Sequence, residues 1–132
     1  MSAISNEALV FWRAAERDRI TFDILSAAVN APLENLCFNA QQYVEKLLKA
    51  ALTLHGVAFR RTHDIAMLAQ LLTAAGSDLP APLDALKNLM PCAVLARYAD
   101  VPFVDIDRNE LTRLVAGASQ WATKLSRLHS LP

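Results

Sequence analysis

Only three glycines and six prolines interrupt 132 residues. Through the long stretches between them the apolar residues return every three or four positions, a spacing that a helix turns onto one face. No stretch alternates apolar and polar residues as a half-buried strand requires, so the chain is predicted to be all-α. A first helix follows Ser5, with Glu7 in its first turn where a negative charge suits the helix dipole, and runs to about Val29 with Phe11, Ala15, Phe22, Leu25 and Ala28 on one face. Asn30-Ala31-Pro32 connects it to a second helix, from about Pro32 to His55, which buries Leu36, Ala40, Tyr43, Leu47, Leu48, Ala51 and Leu54 and ends at Gly56.

After the loop 57–61, Thr62 is expected to cap a third helix with Asp64 in its first turn and Ile65, Leu68, Leu71 and Leu72 inside; residues 76–82 close it. A fourth segment, from Leu83 to Tyr98, contains Pro91, whose missing N–H predicts a kink in preference to a restart. Asp107 and Glu110 form a capping box for a last helix to about Leu128, which buries Leu111, Leu114, Val115, Ala118, Trp121 and Leu125. Short connections favour antiparallel neighbours. The expected architecture is an antiparallel up-and-down bundle of four main helices plus a kinked or supplementary fifth, as a single domain over residues 1–132.

This length can enclose one core without disulfides or a metal. With 54% hydrophobic and 20% charged residues, the chain is expected to expose apolar surface that an oligomer would cover. Thirteen Lys and Arg balance thirteen Asp and Glu, so no bulk field draws the chain onto RNA or DNA, although a local basic patch could. Cys37 and Cys92 lie far apart, with no CxxC pair or neighbouring histidine pair. They predict neither a disulfide framework nor a zinc site, and read as small buried hydrophobes in a reducing cytosol. No basic stretch followed by an apolar core opens the chain, and no apolar run approaches the ~18–20 residues of a membrane span, so the expectation is a cytoplasmic protein.

Candidate site residues concentrate on the second helix. Asn35, Asn39, Gln42, Lys46 and Lys49 recur at steps of three and four and so share a face. Amides that both donate and accept, beside two ammonium groups, suit a phosphate-bearing ligand or a hydrogen-bonded helix interface; an ordinary solvated face has the same composition. Asp18 falls within the first helix's apolar stripe. It needs a basic partner, for which Lys46 is the candidate, unless the stripe is rotated and the acid sits at its wet margin. Arg60, Arg61 and His63 gather two guanidinium groups and an imidazole at a helix start, the expected phosphate contact, though a solvated loop before a threonine cap would look the same. Arg97 and Tyr98 end the fourth segment, where capping explains them, and His55 and His129 sit near helix ends without evident chemistry. No nucleophile elbow, glycine-rich loop or metal-ligand spacing is present, so no catalytic residue, metal or cofactor is expected.

The run Cys37-Phe38-Asn39-Ala40-Gln41-Gln42, followed by Glu45-Lys46, Lys49-Ala50, Thr62-His63-Asp64 and Arg97-Tyr98, resembles the HEPN domain. Asp18 fits the same pattern, and the resemblance covers roughly residues 8 to 127. It implies a helical bundle, a homodimer, and a minimal nucleotidyltransferase encoded alongside in a two-component or toxin–antitoxin system. It also implies a nucleotide or acceptor substrate on the polar face of the second helix, with Asp18, Glu45, Arg97 and Tyr98 in supporting positions. A second branch of that family consists of metal-independent ribonucleases with an arginine, four to six intervening residues and a histidine. No arginine of this chain precedes a histidine at that spacing: Arg60 and Arg61 are too close to His63, and Arg127 too close to His129. The reading is therefore a noncatalytic binding module. Two alternatives stand beside it: a ribonuclease toxin centred on Arg60, Arg61 and His63, and a purely structural dimeric scaffold.

Overall fold

Serine is a good N-cap because its hydroxyl can accept a free N–H of the first turn. In the computed structural model, which describes residues 5–92 and 106–132, Ser5 does this for Ala8 (3.1 Å) and opens helix α1, Asn6–Ala27. Helix α2 spans Leu33–Leu54 behind Pro32, which supplies a preset φ where no N–H is needed. It ends at His55, followed by Gly56 at φ +71°, a left-handed turn that a side chain would strain. Helix α3 is Ile65–Ala74, α4 the short Leu83–Lys87, and α5 Arg108–His129. The described residues contain no strand, and the fold is an all-helical bundle.

The short connection folds α1 back antiparallel on α2. Helix α5 is antiparallel to α1 as well. The Arg108 guanidinium at its start donates to the carbonyls of Leu25, Ser26 and Ala28 at the end of α1, 2.7 Å for Ala28, and beyond its far end the Pro132 carbonyl accepts Trp12 Nε1–H at 3.2 Å. Contacts between α2 with its flanking residues and α5 advance together along both helices, from Arg108 on Ala31 through Tyr43 on Ser119 to the ring pair His55–His129. These two therefore run the same way, as alternate helices of an up-and-down bundle do.

Helix α2 is the axis of the core. Leu36, Ala40, Tyr43, Leu47, Leu48 and Ala51 are buried as the spacing predicted, while Leu54, in the last turn, is only half-buried. On α5, five of the six expected residues are buried and Leu114 is half-buried.

Several expectations need correcting. On α1 the inner stripe is Ala8, Trp12, Ala15 and Phe22, rotated from the predicted one, so that Phe11 and Leu25 lie at its margin and Ala28 is exposed. Trp12 wins the centre because its ring is the largest apolar surface on the helix and its N–H finds a carbonyl. The cap of α3 is Asp64, whose Oδ1 accepts Met67 N–H (3.0 Å); Thr62 Oγ1 instead accepts the N–H of Asp64. A kink at Pro91 is not what forms. The α-helix stops at Lys87, four residues earlier, and tighter turns follow, with Leu89, Met90 and Cys92 N–H each bonding three residues back. This pattern asks no N–H of Pro91. Cys37 and Cys92, far apart in sequence, are both buried in the core. Hydrogen bonding with Cys37 and burial hold the Cys92 thiol well above its ordinary range.

Candidate functional site

Polar side chains spaced i, i+4 along a helix can reach one another, and α2 uses this spacing inside the core. Glu45 is almost fully buried, and its carboxylate collects three donors: Gln41 Nε2 at 2.9 Å one turn before, Lys49 Nζ at 3.1 Å one turn after, and His63 Nδ1 at 3.0 Å from the loop ahead of α3. Gln42 Nε2 extends the chain by donating to Gln41 Oε1 at 2.8 Å. Burying a carboxylate without partners would cost several kcal/mol, at least ~3; here each oxygen is occupied. Lys49 Nζ also stands 5.9 Å from the Phe11 ring centre, where a cation meets the negative face of the π system. Phe11 in turn touches Phe59.

His63 connects this buried network with solvent. A carboxylate only accepts, so Nδ1 must carry the hydrogen shared with Glu45, and the exposed ring presents Nε2 outward. Arg60 and Arg61 are exposed on the same loop and, among the described residues, form no ion pair.

The other predicted residues separate into distinct environments. Lys46 Nζ meets Asp18 Oδ2 at 2.6 Å, with both side chains partly exposed. Asp18 is thus both at the margin of α1 and paired with the expected lysine. Gln42 is half-buried, and Asn35 is exposed at the start of α2. Asn39 is buried, and among the described residues its Oδ1 has no hydrogen-bond partner. Arg97 and Tyr98 lie outside the described residues.

Lys49 therefore does not belong to an open polar face; the packing of α1 and the loop over α2 turns it inward to Glu45. Gln41, the most buried polar side chain among the described residues and the link between Gln42 and Glu45, is not among the expected site residues. Its signal was present in the repeat Gln41, Glu45, Lys49 at i, i+4, a polar ladder beside the one chosen.

A separate cleft of about 360 Å³ opens between α1 and α5 over the Tyr43 hydroxyl, which bonds Ser119 Oγ at 3.0 Å. Burial raises the Tyr43 phenol above its ordinary range. None of the predicted site residues lines this cleft. Among the described residues no group of three or more His, Cys, Asp or Glu could hold a metal ion, and no helix is long and apolar enough to cross a membrane.

Residues 8–124 match the family model described as HEPN domain. No curated protein and no solved structure matches the chain.

Proposed function

The chain belongs to the HEPN domain family, and from that premise we propose that it is a single-domain, noncatalytic binding module, a homodimer that pairs with a minimal nucleotidyltransferase and takes a nucleotide on the polar side of α2. HEPN domains commonly dimerise. The observation that carries the ligand reading is Asn39 Oδ1, a buried acceptor without a donor among the described residues, on the face it shares with Gln42 and Lys46. A buried unpaired amide oxygen costs roughly 1–3 kcal/mol, which a ligand donor such as an exocyclic amine would recover. The cations on α2 are already neutralised by Asp18 and Glu45, so the phosphates fall to Arg60 and Arg61, exposed beside His63.

The test is thermal unfolding of the purified protein with ATP, GTP, AMP and short RNA, because a ligand that binds only the folded state raises Tm. A nucleotide-specific rise that is lost in Asn39→Ala and reduced in Arg60→Ala/Arg61→Ala is the expected result. No rise with any nucleotide would remove the ligand from the proposal and leave the protein partner, tested by copurification with an adjacently encoded nucleotidyltransferase.

The Glu45–His63 contact favours a second reading, a ribonuclease toxin. A carboxylate that fixes a histidine tautomer with Nε2 outward, beside two arginines, has the parts for proton transfer next to a phosphate. Growth arrest on expression, relieved by His63→Ala, would move the assignment there; harmless expression without RNA cleavage would end it.

A further inference from the structure

Helix α1 buries one side against α2 and α5 and is apolar on another side as well. Val10, Ile20 and Ile24 are 62%, 50% and 66% exposed, values far above those of ordinary margin residues. With Arg13 and Arg17 they form the series 10, 13, 17, 20, 24, whose alternating steps of three and four make a heptad seam, the pattern by which one helix docks along another. Arg13 and Arg17 are exposed and, among the described residues, form no ion pair, whereas Arg19, round the helix, is held by Glu16 and Asp23. The seam itself carries no acid.

We propose that this outward seam of α1 docks a different protein through an amphipathic helix whose apolar stripe is flanked by carboxylates. Charge decides between that occupant and a second copy of this chain. A two-fold pairing centred on the seam sets Arg17 against its own copy, and a parallel pairing sets both arginines against themselves; like charges facing each other in an interface are strongly disfavoured. An acidic partner helix instead neutralises both guanidinium groups, for which the bidentate Arg–carboxylate contact is well suited. The apolar residues at the two ends of the seam would supply the buried contact, and the arginines at its middle would set register and partner choice. The inference rests on the reading that this protein works with a partner, but it does not depend on that partner being a nucleotidyltransferase.

The experiment uses the full chain and a synthetic helical peptide with leucines at heptad spacing flanked by glutamates, read by fluorescence anisotropy. A control peptide carries lysine in place of glutamate, and sedimentation gives the mass of each variant. Binding of the acidic peptide should weaken at least tenfold in Arg13→Glu/Arg17→Glu, which should gain the lysine peptide, and should weaken several-fold in Ile24→Ser. All variants should keep the wild-type mass and helical circular dichroism. Absence of binding, equal binding by wild type and the charge-reversed variant, or a change of oligomeric mass in either variant would overturn the proposal; the last would make the seam a self-interface. Failure of a nucleotidyltransferase to copurify would end the partner named above and leave this result standing, because the peptide contains no nucleotidyltransferase sequence.

Discussion

Helix α2 carries two lysine–carboxylate contacts one turn apart in surroundings that differ sharply. Lys49 and Glu45 belong to the same helix and are sealed in, with side chains 10% and 3% exposed; Lys46 reaches across to Asp18 on α1 at the edge of the bundle. The first pair has lost nearly all its water and survives because Gln41 and His63 occupy the remaining carboxylate sites. The second keeps part of its hydration and needs no further partners. A third pair, Asp78 with Lys124, is 65% and 67% exposed and marks the solvated end of the same series. The same chemistry thus has three structural meanings, set by how much water each pair retains.

The largest expected effect is at the sealed pair. Glu45→Ala leaves an ammonium group, an amide and an imidazole without their common acceptor and should cost about 3–5 kcal/mol in urea or thermal unfolding. A loss no larger than that of Asp18→Ala would break the comparison. The double replacement Glu45→Met/Lys49→Met sharpens it: removing both charges together should bring stability back to within about 1 kcal/mol of wild type, or above it, since a buried pair is costly to break and inexpensive to replace whole. Retention of the full single-mutant loss would show that packing, and not the stranded charge, dominates.

Asp18→Ala should cost about 1 kcal/mol, the scale of a partly exposed pair, and 0.5 M salt should shrink that difference more than it shrinks the Glu45 effect. The smallest effect belongs to Asp78. The Trp121 N–H, donating at 2.9 Å, and Lys124 hold its carboxyl below the usual carboxylate range. A depressed folded-state pKa adds stability above the unfolded value that is lost as pH falls through the folded one. The stability difference between wild type and Asp78→Asn, a few tenths of a kcal/mol (about 0.3) at this exposure, should therefore be present at neutral pH and vanish on the acid side of the carboxylate range. A difference that grows on acidification would reverse the assignment.

Elements were more legible than environments. The caps at Ser5 and Asp107, the stop at Gly56 and most of the apolar residues expected inside on α2 and α5 follow from local rules that tertiary packing did not overrule. The Asp18–Lys46 pair was also readable, because an acid near an apolar stripe needs a cation from the neighbouring helix. Asp64 as the cap of α3 was not, since Thr62 and Asp64 are both good capping residues and only the loop's path decides between them. Lys49 shows the same limit at the candidate site. Its spacing places it with Lys46, yet Phe11 and Glu45 draw it inside while Lys46 stays at the edge.

By itself the sequence determined an all-helical chain, the ends of most helices and its family, because capping, periodicity and motif are properties of neighbours along the chain. Tertiary structure decided which polar groups lose their water, that His63 meets Glu45 eighteen residues away, that Cys37 and Cys92 are both sealed in the core, and that α1 keeps an apolar seam outside. Those outcomes depend on how helices rotate against one another. A rotation of a fraction of a turn moves a side chain between core and water without changing the local pattern that formed its helix.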